Sequence, residues 1–149
     1  MLRILLADDH AVVRQGVKQI LADAFAKATF GEAQNAPELL ALVANERWDI
    51  VVLDLTMPGG NGLEALKQIK HDQPQLPVLI LSMYPEDQYA VRTIRAGAAG
   101  YLNKESAPEE LVTAIRKILQ GGEYISAAVA DELVLHARHE DGQPLHKHL

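Results

Sequence analysis

Short apolar runs alternate along the chain with segments whose apolar residues recur at helical spacing. This is the pattern of an α/β fold built around a buried parallel sheet. Leu2 to Ala7 reads as a first strand, and Val13, Val17, Ile20, Leu21 and Ala24 mark one face of the helix after it. Ala28 to Ala33 is a weaker, less apolar run, which places it near a sheet edge. Asn35 with Glu38 three residues on makes a capping box, and the helix it opens carries Leu39, Leu40, Leu42 and Val43. Asp49 to Leu53 is the clearest strand. The turn residues Pro58, Gly59, Gly60, Asn61 and Gly62 lead into a helix with Leu63, Leu66 and Ile69. Pro74 and Pro77 close that unit, Val78 to Leu81 is a fourth strand, and a helix is predicted from Glu86 to Arg95. Gly97 and Gly100 frame a fifth strand around Tyr101 and Leu102. Ser106 and Glu109 form a second capping box. The helix they start is expected to bury Leu111, Val112, Ile115, Ile118 and Leu119 before Gly121-Gly122 stops it.

Five βα units predict a doubly wound, flavodoxin-like (βα)5 domain over residues 1–122, with strand order 2-1-3-4-5. Residues 123–149 read as a partly helical linker or tail that leads elsewhere. Ile125 to Arg138 sets Val129, Leu133 and Val134 at helical spacing, and Glu140 to Leu149 is polar.

Composition narrows the class. The chain has 149 residues, 48% hydrophobic and 23% charged, which fits one globular domain and excludes whole-chain disorder. Without cysteine there is no disulfide framework, thiolate zinc site or thiol nucleophile. No apolar stretch approaches the ~20 residues of a membrane span. Asp8 and Asp9 interrupt the first run too early for a signal peptide, so the cytoplasm is the expected location. The net charge of −6 divides evenly between residues 1–120 and 121–149, with no basic stripe. Direct binding of nucleic acid by this chain is therefore not expected. His136, His139 and Glu140 are spaced to share a helical face that would suit a transition metal, but a solvated tail is the plainer reading.

In a doubly wound sheet, ligands bind beyond the carboxyl ends of the strands. Asp8 and Asp9 follow the first strand, Asp54 the third and Ser82 the fourth, and Lys104 stands near the end of the fifth. Order 2-1-3-4-5 makes these four strands contiguous, so the five side chains are expected to converge, while the second strand offers nothing comparable. Each residue alone has an ordinary explanation as a cap, turn or solvated charge; the joint placement does not. Three crowded carboxylates repel one another and call for a hard cation with oxygen ligands, which suits Mg2+. A hydroxyl and an ammonium opposite complete a phosphoryl site, and a carboxylate can itself be the covalent acceptor. Asp54 is the candidate, since it lies centrally between the acidic pair and Ser82 with Lys104.

The set Asp8-Asp9, Asp54 to Gly62, Ser82, Tyr101 and Lys104 resembles the CheY-like receiver domain of two-component response regulators over residues 1–122. The stretch Arg95 to Ser106 further resembles the NarL/FixJ subgroup, whose receivers precede a LuxR-type helix-turn-helix domain. The resemblance implies a non-enzymatic signalling domain that takes a phosphoryl group on Asp54 from a sensor histidine kinase or phosphotransfer protein. It implies Mg2+ held by Asp9, Asp54 and the Thr56 backbone carbonyl, with Asp8 acting mainly through water. Lys104 would pair with the phosphoryl group, and Ser82 and Tyr101 would form the conformational switch. A homodimer on phosphorylation is expected, and transcriptional control through a DNA-binding domain not present in this chain. Glu105 stands where many receivers have proline, and Gly60 where a hydrophobic residue is frequent. A haloacid-dehalogenase-type phosphatase would need a second Asp at Thr56, and a dinucleotide-binding fold would need glycines where Asp8-Asp9-His10 stands. A receiver serving only as an interaction module is the remaining alternative.

Overall fold

The computed structural model describes residues 2–55, 62–82, 86–105, 107–125, 130–131 and 133–135, with side chains throughout except at 86–89. Ten elements alternate: β1 (Arg3–Ala7), α1 (Ala11–Ala24), β2 (Thr29–Ala33), α2 (Ala36–Asn45), β3 (Ile50–Asp54), α3 (Gly62–Asp72), β4 (Val78–Ser82), α4 (Glu86–Arg95), β5 (Gly100–Asn103) and α5 (Ala107–Leu119). All strand pairs are parallel and the order is β2-β1-β3-β4-β5, as the sequence predicts. The weak second run is indeed an edge strand.

Side-chain alternation divides the core into two layers. Ile4, Leu6, Ile50, Val52, Leu79, Leu81 and Leu102 pack against α1 and α5. Leu5, Ala7, Val51, Leu53, Val78, Ile80 and Tyr101 face the opposite layer, with α2, α3 and Ala90 of α4. β3 and β4 are buried at every residue, which is why their sequences are apolar without alternation.

The helix ends follow local chemistry. Asn35 Oδ1 accepts from the Glu38 N–H at 2.9 Å, while Glu38 Oε1 reaches past the cap to the Gln34 N–H at 2.9 Å. On α5, Leu111, Ile115 and Ile118 are buried. Leu119 is 37% exposed and Val112 only half-buried, contrary to the expectation from sequence. The buried row follows i, i+4, i+7, and Leu119 lies a full 100° step beyond it. Gly121, at φ +92, ends the helix, and the Gly122 N–H bonds the Lys117 carbonyl at 3.1 Å. Ser106, half of the second expected capping box, is outside the described residues.

The chain then returns to the sheet. Tyr124 pairs with Gly100, donating to the Ala99 carbonyl at 2.9 Å and accepting from the Tyr101 N–H at 3.2 Å. Its hydroxyl donates to Glu110 Oε1 at 2.7 Å, and that bond, with burial, raises the phenol above its ordinary value of 10.0. Tyr124 thus covers part of an otherwise open strand edge. Ile125 and Leu133 pack against the α2–α4 layer, whereas Val134 and Leu135 are exposed. The described residues from 130 to 135 are helical, in keeping with the amphipathic spacing; Val129 and residues 136–149, with the tail histidines, lie outside the described residues. Among the described residues no helix is long and apolar enough to cross a membrane.

Candidate functional site

Four adjacent strands deliver the polar residues to one end of the sheet. Asp54 closes β3 and Ser82 closes β4, both almost fully buried, while Asp8 follows β1 and Lys104 follows β5. The Lys104 N–H bonds the Ser82 carbonyl at 2.9 Å, so the end of β4 fixes where the lysine leaves β5. Its ammonium lies 3.2 Å from Asp8 Oδ2 and 3.3 Å from Asp54 Oδ2. Side chains of all three residues are less than a tenth exposed, so these ion pairs are weakly screened.

Asp9 is placed differently. Its Oδ1 is buried and accepts no hydrogen bond, and the His10 ring nitrogen is 3.2 Å away. Asp8 Oδ1 already accepts the His10 N–H at 2.8 Å. One ligand-capable atom from each of Asp8, Asp9, His10 and Asp54 lies within 4.8 Å of the others. Three carboxylates at this separation, among them Asp9 with its Oδ1 that accepts no hydrogen bond, are a donor set suited to a hard divalent cation.

Tyr101 is 1% exposed and pairs in register with Ile80, two residues before Ser82. Alternation puts Ser82 and the Tyr101 ring on the same face of the sheet. Thr56 is outside the described residues, as are Gly60 and Tyr84. The peptide between Lys104 and Glu105 is trans, and the Glu105 N–H bonds Asn103 Oδ1 at 2.8 Å.

Sequence reasoning missed three contributors. His10 borders the acidic cluster despite being exposed. Arg14, on the first turns of α1, is buried; its Nη1 donates to the Asp8 carbonyl and its Nε to Glu32 Oε1, both at 2.6 Å. Glu32 shows that β2, expected to offer nothing to the site, is tied to it through Arg14. The signal was present: Arg14 shares the buried row of α1 with Val17 and Leu21, where a charge has to be explained.

Residues 4–116 match the family model of the response regulator receiver domain. The chain belongs to the response regulator receiver family. This receiver is 38% identical over 135 residues to the response regulator GacA of Pseudomonas aeruginosa, covering 91% of this chain and 63% of that protein. It is 36% identical to the response regulator UvrY of Escherichia coli K12, covering 91% of this chain and 62% of that one. It therefore spans under two thirds of the length of these relatives. Among solved structures, it resembles a LuxR-family two-component response regulator from Aurantimonas sp. SI85-9A1, with a TM-score of 0.78, 36% identity and coverage of 91% of this chain and 97% of that one. The similarity to NarL/FixJ-type regulators agrees with the subgroup resemblance of residues 95–106.

Proposed function

We propose that this receiver accepts a phosphoryl group on Asp54 and converts the event into a change of surface on the α4–β5 side. The observation that carries the reading is the Lys104 ammonium set between Asp8 and Asp54, with the Asp9 oxygen that accepts no hydrogen bond beside them. An Asp54 carboxylate oxygen attacks phosphorus, the bond from phosphorus to the donor's histidine nitrogen breaks, and the imidazole leaves with the electron pair. Lys104 moves its pairing from the Asp54 carboxylate to a phosphoryl oxygen, and Ser82 donates its hydroxyl to another. Asp9 and Asp54, with Asp8 and the Thr56 carbonyl, would hold Mg2+. Bound there, the ion would offset charge on the phosphoryl oxygens. The domain is a stoichiometric acceptor that turns over only its own phosphate.

The Ser82 hydrogen bond to a charged oxygen is worth roughly 1.5–3 kcal/mol, so the two conformations must differ by only a few kcal/mol for it to shift their populations. Ser82 and Tyr101 share a face, so withdrawal of the hydroxyl toward Asp54 changes the packing around the buried Tyr101 ring. The partners that fit are a sensor histidine kinase or phosphotransfer protein, a second receiver on phosphorylation, and a DNA-binding output domain joined through residues 123–149, all in the cytoplasm. The receiver itself is taken to end at residue 122.

Intact mass of wild type and Asp54→Asn after incubation with acetyl phosphate and Mg2+ tests the acceptor. Wild type is expected to gain one phosphoryl group and the variant none; equal phosphorylation of both would overturn the assignment, and no phosphorylation of either would leave an interaction module. Amide shifts with beryllofluoride test the switch, which requires changes reaching from Ser82 to Tyr101.

A further inference from the structure

We infer that Arg14 is a positioning residue for the acidic pocket, clamping the main chain that aims Asp9, and that Glu32 offsets the charge of that clamp. The inference rests on the phosphoacceptor reading and assigns roles to two residues outside the pocket.

Asp8 is gripped at both ends of its backbone. Its N–H donates to the Ala33 carbonyl of β2 at 3.0 Å, and its carbonyl accepts from Arg14 Nη1 at 2.6 Å. The oxygen held by Arg14 belongs to the peptide plane that leads into Asp9, so fixing it fixes the direction in which the Asp9 side chain leaves the loop. The Asp8 carboxylate is itself engaged by the His10 N–H and Lys104. Asp9 Oδ1 accepts no hydrogen bond, and apart from the exposed His10 ring, 3.2 Å away, its position depends on the main chain. Arg14 and Asp54 also border one cavity of about 10 Å³, room for a single water at most.

A buried cation beside a metal pocket would normally oppose metal binding. Glu32 offsets that effect: its Oε1 lies 2.6 Å from the buried Arg14 Nε, while its other oxygen lies 3.2 Å from the more exposed Lys18 Nζ. Arg14 first, then Lys18, keeps this carboxyl ionised below its ordinary value of 4.5 against the opposing effect of burial. A lysine cannot make both contacts, because they diverge from one rigid plane and an ammonium is a single point.

The test compares wild type, Arg14→Met, Arg14→Lys and Glu32→Gln by calorimetric Mg2+ titration, acetyl phosphate phosphorylation rates across Mg2+ concentrations, and melting temperature. Partners that orient metal ligands typically govern about 10–100-fold in affinity, so Arg14→Met is expected to weaken Mg2+ binding at least tenfold. Its rate at saturating Mg2+ should return close to wild type. Arg14→Lys should fall between the two, and Glu32→Gln should weaken Mg2+ binding although Glu32 touches no pocket carboxylate. If Arg14→Met does not fold, the other two variants make the same comparison. A phosphorylated wild type whose folded variants melt earlier but keep its Mg2+ affinity would overturn this inference alone. A wild type that takes no phosphoryl group would overturn the acceptor reading as well.

Discussion

At the amino end of the sheet, Arg3 is surrounded by fixed partners. Its N–H bonds Asp49 Oδ2 at 2.8 Å, its guanidinium donates to the Arg47 carbonyl and to Glu46, and it lies 4.5 Å from the centre of the Trp48 ring. A groove of about 500 Å³ opens beside it, yet Trp48 and Gln73, which line it, donate to carbonyls of α2. At the carboxyl end, among the described residues, Lys104 pairs with Asp8 and Asp54, and the neighbouring Asp9 keeps a buried oxygen that accepts no hydrogen bond. Both ends are built from strand termini and charged residues. What separates them is whether charge is matched within the chain or left in excess for something that binds.

The largest expected effect breaks the amino end. Trp48 is 7% exposed and rests on Gly31, where any Cβ would sit 2.3 Å from the indole. Trp48→Ala should cost about 3–5 kcal/mol by leaving a cavity. At a temperature where the variant remains folded, its Mg2+ affinity and phosphorylation should match wild type. Loss of Mg2+ affinity in the folded variant would show that the two ends are coupled.

A smaller change of opposite sign is expected at the carboxyl end. Lys104 pairs with Asp8 and Asp54, so Asp9 carries the charge without a lysine partner. Without metal, Asp9→Asn should stabilise the fold by about 1 kcal/mol, a partly screened like-charge contact, while weakening Mg2+ binding. That corresponds to roughly 3 °C in melting temperature. A variant less stable than wild type in EDTA would contradict the repulsion.

The smallest effect depends on pH. Glu32 has its carboxyl pKa lowered in the fold, so its ion pair contributes stability above the ordinary value of 4.5 and loses it as pH falls through the lower folded value. The gap in melting temperature between wild type and Glu32→Gln should therefore shrink below pH 4.5. A constant gap down to pH 3 would mean that Glu32 acts by packing rather than charge.

Much of this molecule was legible from local pattern. Short apolar runs bounded by Asp, Gly and Pro gave the strands, and the low apolarity of β2 gave its edge position. Asp8, Asp9, Asp54, Ser82 and Lys104 were found because each stands at the end of an apolar run. The Leu119 error came from counting apolar residues near the end of a helix rather than following the buried row. The pairing of Arg14 with Glu32 was invisible for a different reason. The two residues are 18 positions apart, and nothing in either neighbourhood specifies the other. Tyr124 likewise meets Ala99 and Tyr101 only because α5 brings the chain back along β5.

The sequence by itself determined which segments become strands and helices, their order in the sheet, and the acidic, hydroxyl and ammonium groups at one end of it. Those features depend on residue type and spacing along the chain, which periodicity and turn chemistry fix locally. Tertiary structure alone decided which charges are matched. Pairing β1 with β2 in register sets Leu6 opposite Glu32, and α1 packed across them brings Arg14 between Glu32 and the Asp8 carbonyl. Burial then makes the match matter, because a guanidinium removed from water needs an anion and a carbonyl within reach, and only the packed sheet supplies both.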